Sequence, residues 1–498
     1  MVSAKAAAAA GVAAALVGLA AGELMAAMVD PDTSPVVVVG AQVIDLTPTP
    51  LKEWAVARFG SADKVILVSS VVAVVLAAAA GAGWLTARRG LLAGALAFGG
   101  LAAIAGTIAV RRPGNSVLDA APAAVTALAA LVALAVMTRT TAARSTTAGG
   151  RRVLLQSVFV LLLAGAMEST AQRVVGRRAA RSMVELPKPR IPVPDLPRGL
   201  TVPGITPFRT SARDFYRVDT RLTLPTIDVD SWRLRIDGQV DRTASFSFDD
   251  IAAMDLIERD ITLTCVSNEV GGRYVGAARW LGVPLVDLLD RAGVRNGADQ
   301  ILSTDVDGMT ISTPLSIAMD GRDSMIAIGM NGEPLPRAHG FPARLVVPGL
   351  YGFVGATKWI TRMTLTTYAE QDAYWTKRGW ATDAPIKPSS RIDTPRPFQT
   401  LPAGEQVTIG GIAWAQNSGG VAGIEVSIDD GPWLPAVLGP SGGANYWRQW
   451  FVKWTATTGR HTVAARAIAT NGRSQSARRE TPFPSGASGI QRLVLNVA

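Results

Sequence analysis

Cys265 is the only cysteine in this 498-residue chain, and it stands in the stretch Thr264-Cys265-Val266-Ser267-Asn268-Glu269-Val270-Gly271-Gly272. Polar, glycine-bearing loops of this kind are where active-site groups tend to sit. A lone cysteine is ordinarily a small buried apolar side chain, and it excludes any disulfide within the chain. Its other potential is that of a thiolate, a soft ligand for a transition metal. Downstream, Leu335-Pro336-Arg337-Ala338-His339-Gly340-Phe341-Pro342-Ala343-Arg344 sets two arginines and a histidine in a turn-rich segment. Planar guanidinium forks suit phosphate. A thiolate with phosphate anchors fits a metal held through a phosphorylated organic cofactor. The buried-cysteine reading stays open beside it.

Histidine is scarce: only His339 and His461 occur, and both lie in the second half of the chain. Membrane-embedded b-type haem takes axial histidines from its helices, so the apolar first third offers none, and no Cys-x-x-Cys-His is present. Any redox reaction here has to exchange electrons with a separate partner.

The elements that must position these groups follow from patterning. Trp232, Leu234 and Ile236 alternate with Arg233, Arg235 and Asp237 before Asp237-Gly238, which predicts a half-buried strand and a turn. Asp249-Asp250 open a short helix, and Ile261–Thr264 form a strand that delivers Cys265 at its end. Val286, Leu288 and Leu289 line a helix closed by Gly293, and Leu345–Val347 read as a strand. Short alternating strands at 407–412, 423–428, 447–454 and 461–467, broken by Asp430-Gly431 and Asn471-Gly472, predict a β-sandwich starting near Pro385.

The first 170 residues are dominated by Ala, Val, Leu and Gly. Four runs, roughly 7–28, 65–86, 90–110 and 116–138, are long and apolar enough to span a bilayer, and a shorter fifth run covers 153–166. The fifth follows Arg151-Arg152 and ends in Ala164-Gly165-Ala166. It reads equally as a twin-arginine export signal or as a last span with two cytoplasmic arginines, and cleavage after it is left open. With the amino terminus inside, Lys5, Arg88, Arg89, Arg139, Arg144, Arg151 and Arg152 are cytoplasmic. Lys52, Arg58, Lys64, Arg111, Arg112, Arg173, Arg177 and Arg178 then lie opposite, so the charge bias alone is weak. Five spans put everything after about residue 170 outside. The net charge of +10 is no sign of nucleic-acid binding, because ten basic and only two acidic residues fall between Arg139 and Arg190, beside apolar segments, where they favour contact with a lipid bilayer. The proline-punctuated stretch 183–212 is extended chain, a linker or a strap.

From Phe215 onward the sequence resembles the sulfite oxidase superfamily. The landmarks come in order: Asp214-Phe215-Tyr216-Arg217, Leu263-Thr264-Cys265-Val266-Ser267-Asn268, Asn331-Gly332-Glu333-Pro334-Leu335-Pro336, His339 to Arg344, Thr357-Lys358-Trp359, and the ending Pro484 to Arg492. After the transmembrane region (1–170) and the Pro/Arg-rich linker (171–212) read above, the resemblance implies an α+β molybdopterin-binding oxidoreductase domain (213–380) and an immunoglobulin-like β-sandwich (381–498) of the kind that often dimerises. It implies a molybdenum–molybdopterin cofactor whose metal is ligated by Cys265. Arg217, Thr304, His339, Arg344, Thr357 and Lys358 match cofactor-binding positions, those of Arg217 and Thr304 only to within a residue or so. Tyr374 matches the tyrosine near the metal, with plain packing beside Trp375 and Trp380 as its alternative.

One departure bears on substrate. Sulfite oxidases follow the Cys-x-x-Asn motif with arginines that bind the sulfite dianion, whereas this chain has Glu269 and Val270. A carboxylate there opposes an anion unless Arg273 or Arg279 neutralises it. The expectation is two-electron oxygen-atom transfer on a small molecule other than sulfite, such as an S- or N-oxide, as in the resembling periplasmic methionine sulfoxide reductases. The alternative is a binding or scaffold protein that kept the fold without the cofactor. Retention of Cys265, His339, Arg344 and Lys358 together argues against it.

Overall fold

The computed structural model describes residues 4–48, 63–112, 116–142, 164–174 and 184–498, with five single positions between 51 and 59. Its contacts divide the chain into two compact units, Met1–Met183 with Asp219–Asp228, and Val184–Val218 with Val229–Ala498.

The first unit is helical: α1 (Ala4–Met28), α2 (Pro35–Leu46), α3 (Asp63–Arg89), α4 (Leu91–Arg111) and α5 (Ala121–Ala142). Four helices are long and apolar enough to cross a membrane, Ala4–Met28, Lys64–Arg89, Leu91–Arg111 and Val117–Thr138, in the places read from the sequence. The run at 153–166 and its Arg151-Arg152 start lie outside the described residues, apart from Ala164 to Ala166, which begin a helix over 164–174. Half of the apolar window of α1 is buried, against 17–22% in the other three, so α1 is the centre of this bundle. Its glycines explain the closeness. A Cβ at Gly11 would fall 2.0 Å from the Ala79 carbonyl oxygen, and one at Gly18 2.5 Å from that of Thr126. Small residues let the backbones touch, which is how helices associate where water supplies no drive. The segment between the first two spans is not all loop. Pro35, at the first helical position where a missing N–H costs nothing, opens the 12-residue α2, too short to span. Within the same unit Lys64 Nζ lies 2.8 Å from the Asp219 carboxylate, and Arg221 and Thr223 both donate to Asp32.

In the second unit, residues 233–366 supply ten strands: β1 (Arg233–Gly238), β2 (Ala244–Ser247), β3 (Ile257–Thr264), β4 (Val275–Pro284), β5 (Gln300–Asp305), β6 (Thr310–Pro314), β7 (Met325–Met330), β8 (Glu333–Pro334), β9 (Arg344–Val346) and β10 (Ile360–Thr366). They form two sheets, β3-β4-β7-β8 with β9 added on β7, and β2-β1-β10-β5-β6. Short helices α6 (Phe248–Ala252), α7 (Leu285–Ala292), α8 (Leu315–Ala318) and α9 (Gly352–Gly355) join them, so the region is α+β. The core between Ile261, Leu263, Trp280, Met325, Phe341 and Val346 backs the strand that carries Cys265.

Two local expectations are corrected. The buried face of α7 is Leu285, Leu288, Leu289 and Ala292, the i, i+3, i+4, i+7 stripe, and Val286 is exposed; Gly293 ends the helix at φ 72° as expected. Asp237 was assigned to the solvent side of β1 but is buried, because Arg235, Arg362 and Thr364 all donate to its carboxylate. The donors from Arg362, Thr364 and Arg235 outweigh burial and hold that carboxyl below its ordinary range.

Residues 389–497 form two further sheets, β11 (Ser389–Thr394), β13 (Gln406–Trp414), β17 (Arg448–Thr455) and β16 (Val437–Leu438) in one, and β12 (Thr400–Leu401), β19 (Gln491–Val497), β18 (Gly459–Ala469), β14 (Val421–Ile428) and β15 (Leu434–Pro435) in the other. Their apolar sides share one core that includes Ile409, Trp450, Val426, Val463 and Leu495, a β-sandwich. The proline-punctuated stretch is a strap. Arg190 N–H donates to Leu256 O, Thr210 N–H to Ala277 O, and Leu200 N–H to the Gln449 side chain. The buried Arg279 guanidinium donates to the carbonyls of Val193 and Pro194 while holding Asp260 at 2.7 Å.

Candidate active site

Strand β3 ends at Thr264, and the next four residues close a turn around Cys265. The Cys265 N–H donates to Tyr274 O (2.9 Å), Asn268 N–H donates to Cys265 O (3.0 Å), and Asn268 Oδ1 accepts from Tyr274 N–H (2.8 Å). Asn268 therefore fixes the loop geometry. Cys265 is buried, and burial pushes its thiol up, against the opposing pull of hydrogen bonds from Ser267 and the charge of Lys358. A thiolate in this place needs a cation beside it.

The segment read as an anion anchor folds back onto this loop. Arg344, first residue of β9, is buried, with Nη1 donating to His339 O (3.1 Å), Nη2 to Ala356 O (3.4 Å), and its guanidinium over the Trp280 ring at 5.0 Å. Burial pulls its pKa down to about 10, and its Nε is buried with no hydrogen-bond partner. The imidazole of His339 donates through Nε2 to Ala212 O (2.7 Å), which leaves Nδ1 as an acceptor. Burial takes its pKa down to about 4, with the charges of Arg344, Lys358 and Arg217 adding to the fall, so the ring is neutral at pH 7. Lys358 bridges Arg344 across a short antiparallel pairing, sends Nζ to Ala338 O (3.3 Å), and lies 4.5 Å from the Trp359 ring centroid. Gly340, at φ 113°, lets the turn close here, because a Cβ would come within 3.0 Å of the Arg344 side chain. The buried Thr357 hydroxyl meets Ser303 Oγ at 2.7 Å.

Cys265, His339, Arg344, Thr357 and Lys358 are thus gathered in one region, and the exposed Arg217 is near enough for its charge to reach His339. Thr304 is not brought in. Ser303 is the β5 residue that faces Thr357, so Thr304, the next residue, points to the opposite face of its strand. Tyr374 has its ring under the Arg378 guanidinium at 3.5 Å and packs against Trp375 at 4.9 Å. The tyrosines whose ionisation the Cys265 charge opposes are Tyr216 and Tyr351, both raised chiefly by burial, the latter to about 12. Sequence reasoning missed both as site residues, although Tyr216 stands inside the Asp214–Arg217 landmark. Of the two histidines, His461 belongs to the sandwich, with Nδ1 2.7 Å from Asp429.

Among the described residues no three His, Cys, Asp or Glu side chains gather into a metal cage. The donor set instead fits a metal with one protein thiolate and its other ligands from an anionic cofactor. The buried Arg344 guanidinium, with no carboxylate partner among the described residues and one unsatisfied N–H, is a place for a phosphate.

Residues 221–375 match the family described as oxidoreductase molybdopterin binding domain. The chain is 34% identical over 259 residues to the mitochondrial sulfite oxidase of Homo sapiens, covering 44% of this chain and 47% of that one. It is 31% identical over 153 residues to the uncharacterized oxidoreductase YuiH of Bacillus subtilis, covering 31% of this chain and 74% of the other. Among solved structures, the sulfane dehydrogenase SoxCD of Paracoccus pantotrophus aligns with a TM-score of 0.52 at 22% identity, over 59% of this chain and 82% of that one, a likeness of fold. The matched domain is that of a molybdopterin-binding oxidoreductase, an enzyme whose cofactor is molybdenum–molybdopterin. The chain belongs to the sulfite oxidase superfamily. It spans about half the length of the sulfite oxidase it matches.

Proposed function

We propose that this protein is a membrane-anchored oxidoreductase, catalytic outside the cytoplasmic membrane, that acts on a neutral or cationic small molecule such as an S- or N-oxide and exchanges electrons with a separate partner. The observation that carries the reading is the buried Cys265 thiol with the partnerless Nε of Arg344 in the same region. When bound, the cofactor supplies two-electron oxygen-atom transfer. In this reading Cys265 ligates the metal, and Arg344 and Lys358 meet the cofactor's anionic end. The acceptor Nδ1 of the neutral His339 would be available to a cofactor donor, Thr357 would orient the Lys358 loop, and Arg217 would lie at the outer edge. Residues 213–380 would form the catalytic domain and 381–498 the sandwich.

Glu269 supports the substrate class. It is exposed, it forms no ion pair with a described residue, and Arg279 is taken by Asp260. Exposure limits its force, since two unit charges about 4 Å apart exchange only ~1 kcal/mol in bulk water. With a carboxylate where cations would receive the dianion, sulfite should be a poor substrate, and Glu269→Arg combined with Val270→Arg should lower the KM for sulfite by about tenfold. Wild-type sulfite oxidation at about 10 per second or faster would sink the substrate assignment.

Topology in this reading rests on the spans and on the Lys and Arg residues beside them. Within the helical unit the end of α1, the start of α3 and residues 219–228 share one side through Asp32 and Lys64, the outer side in this reading. Reporter fusions after Arg190 and within 139–147 should report opposite compartments. A cytoplasmic signal from both refutes the orientation.

A further inference from the structure

We propose that the loop 480–489, carried by the sandwich region, is a wall of the catalytic site, where Gly486 and Lys387 hold the Tyr351 phenol beside Cys265. This rests on the reading of Cys265 as the metal ligand. Tyr351 is buried at the mouth of α9, and its N–H donates to Ala384 O (3.0 Å). The chain there passes against the end of β3, since a Cβ on Gly352 would lie 3.8 Å from Thr264 O and 3.9 Å from the Tyr216 hydroxyl.

The far side of the Tyr351 ring is closed by Gly486. A Cβ at that position would fall 2.4 Å from Tyr351 Cε2 and 2.6 Å from its hydroxyl oxygen, and the backbone stands at φ 93°, so glycine alone allows the contact. The loop is tethered as a unit. Lys387 Nζ donates to Gly486 O (2.6 Å) and to Glu480 (3.0 Å), and Ser488 Oγ donates to Glu480 (2.9 Å). The Lys387 backbone also lies close enough to the Tyr351 hydroxyl to oppose the rise that burial gives its pKa.

The same loop sends Phe483 to within 5.2 Å of the Trp380 ring, and Trp380 lies 5.5 Å from Phe353, two residues after Tyr351. The indole Nε1 of Trp380 is buried without a partner. Phenylalanine would fill either place if packing were the only demand. Two buried donors along one wall suit a substrate that carries an oxygen acceptor, with the Tyr351 hydroxyl positioning it and Gly486 and Lys387 acting through Tyr351.

The test compares wild type with Tyr351→Phe, Gly486→Ala and Lys387→Met in the full-length chain. Cys265 is the sole thiol, so iodoacetamide labelling of protein made in cells lacking molybdopterin reports its shielding directly. Gly486→Ala and Lys387→Met should each speed labelling about tenfold, the response of a locally opened wall. Tyr351→Phe should label as wild type does. In loaded protein, with dimethyl sulfoxide as substrate and a reduced viologen as donor, Tyr351→Phe should keep its molybdenum and lose about tenfold in kcat, as for one lost hydrogen bond. Unchanged labelling in both Gly486→Ala and Lys387→Met, or wild-type kcat and KM in Tyr351→Phe, overturns the proposal. Faster labelling of both variants, together with no molybdenum in wild type made in cells that supply the cofactor, would refute the functional reading and keep the wall. If Gly486→Ala fails to fold, Lys387→Met decides the labelling arm alone.

Discussion

Cys265→Ser leaves a folded protein with no measurable turnover. The serine hydroxyl is close in size to the thiol, and Ser267 lies near enough to oppose the rise in the thiol pKa, so a polar partner is at hand. Stability should therefore move by less than about 1 kcal/mol, the cost that a buried hydroxyl incurs only when it lacks a partner. Catalysis has no such tolerance. A hydroxyl is a poor ligand for a soft metal, and removal of the one protein ligand should cost on the order of 10³-fold or more. A melting curve and a viologen-coupled assay on the same preparation separate the two effects. Turnover above about a tenth of wild type would remove Cys265 from the centre of the chemistry.

Arg344→Met should split cofactor binding from stability. The guanidinium is buried with an orphaned Nε, and burial alone lowers its pKa to about 10. In cofactor-free protein its removal relieves a buried charge, which offsets the two hydrogen bonds to His339 O and Ala356 O. The melting point of that form should change little, within ~2 kcal/mol of stability. Cofactor affinity should fall by about 2–5 kcal/mol, the cost of truncating one side of a buried charge pair. Purified Arg344→Met would then hold a small fraction of the wild-type molybdenum. If instead the cofactor-free variant unfolds while wild type stands, Arg344 is a structural residue.

How much of this was legible depends on how local each signal is. The strand that ends at Cys265 declares itself through Ile261 and Leu263 and the polar loop after it, and the four long helices through uninterrupted apolar runs. Parity is less forgiving. Strand side chains alternate, so an alignment uncertain by one residue leaves the face open, and it is Ser303, next to Thr304, that faces Thr357. The burial of Asp237 could not be seen because two of its three donors, Arg362 and Thr364, arrive from β10, more than a hundred residues later. Tyr351 was passed over for a related reason. Its nearness to Cys265 is set by where α9 meets β3, and its neighbour Gly486 comes from the last part of the chain. Tyr374, by contrast, carries Arg378 and Trp375 from its own local sequence, the packing alternative that the residues already offered.

If Cys265 and its cationic neighbours hold a molybdenum cofactor, elemental analysis of the purified full-length wild type reads the metal out. About one molybdenum per chain is expected in protein that turns over. Active wild-type protein containing no molybdenum would contradict the account.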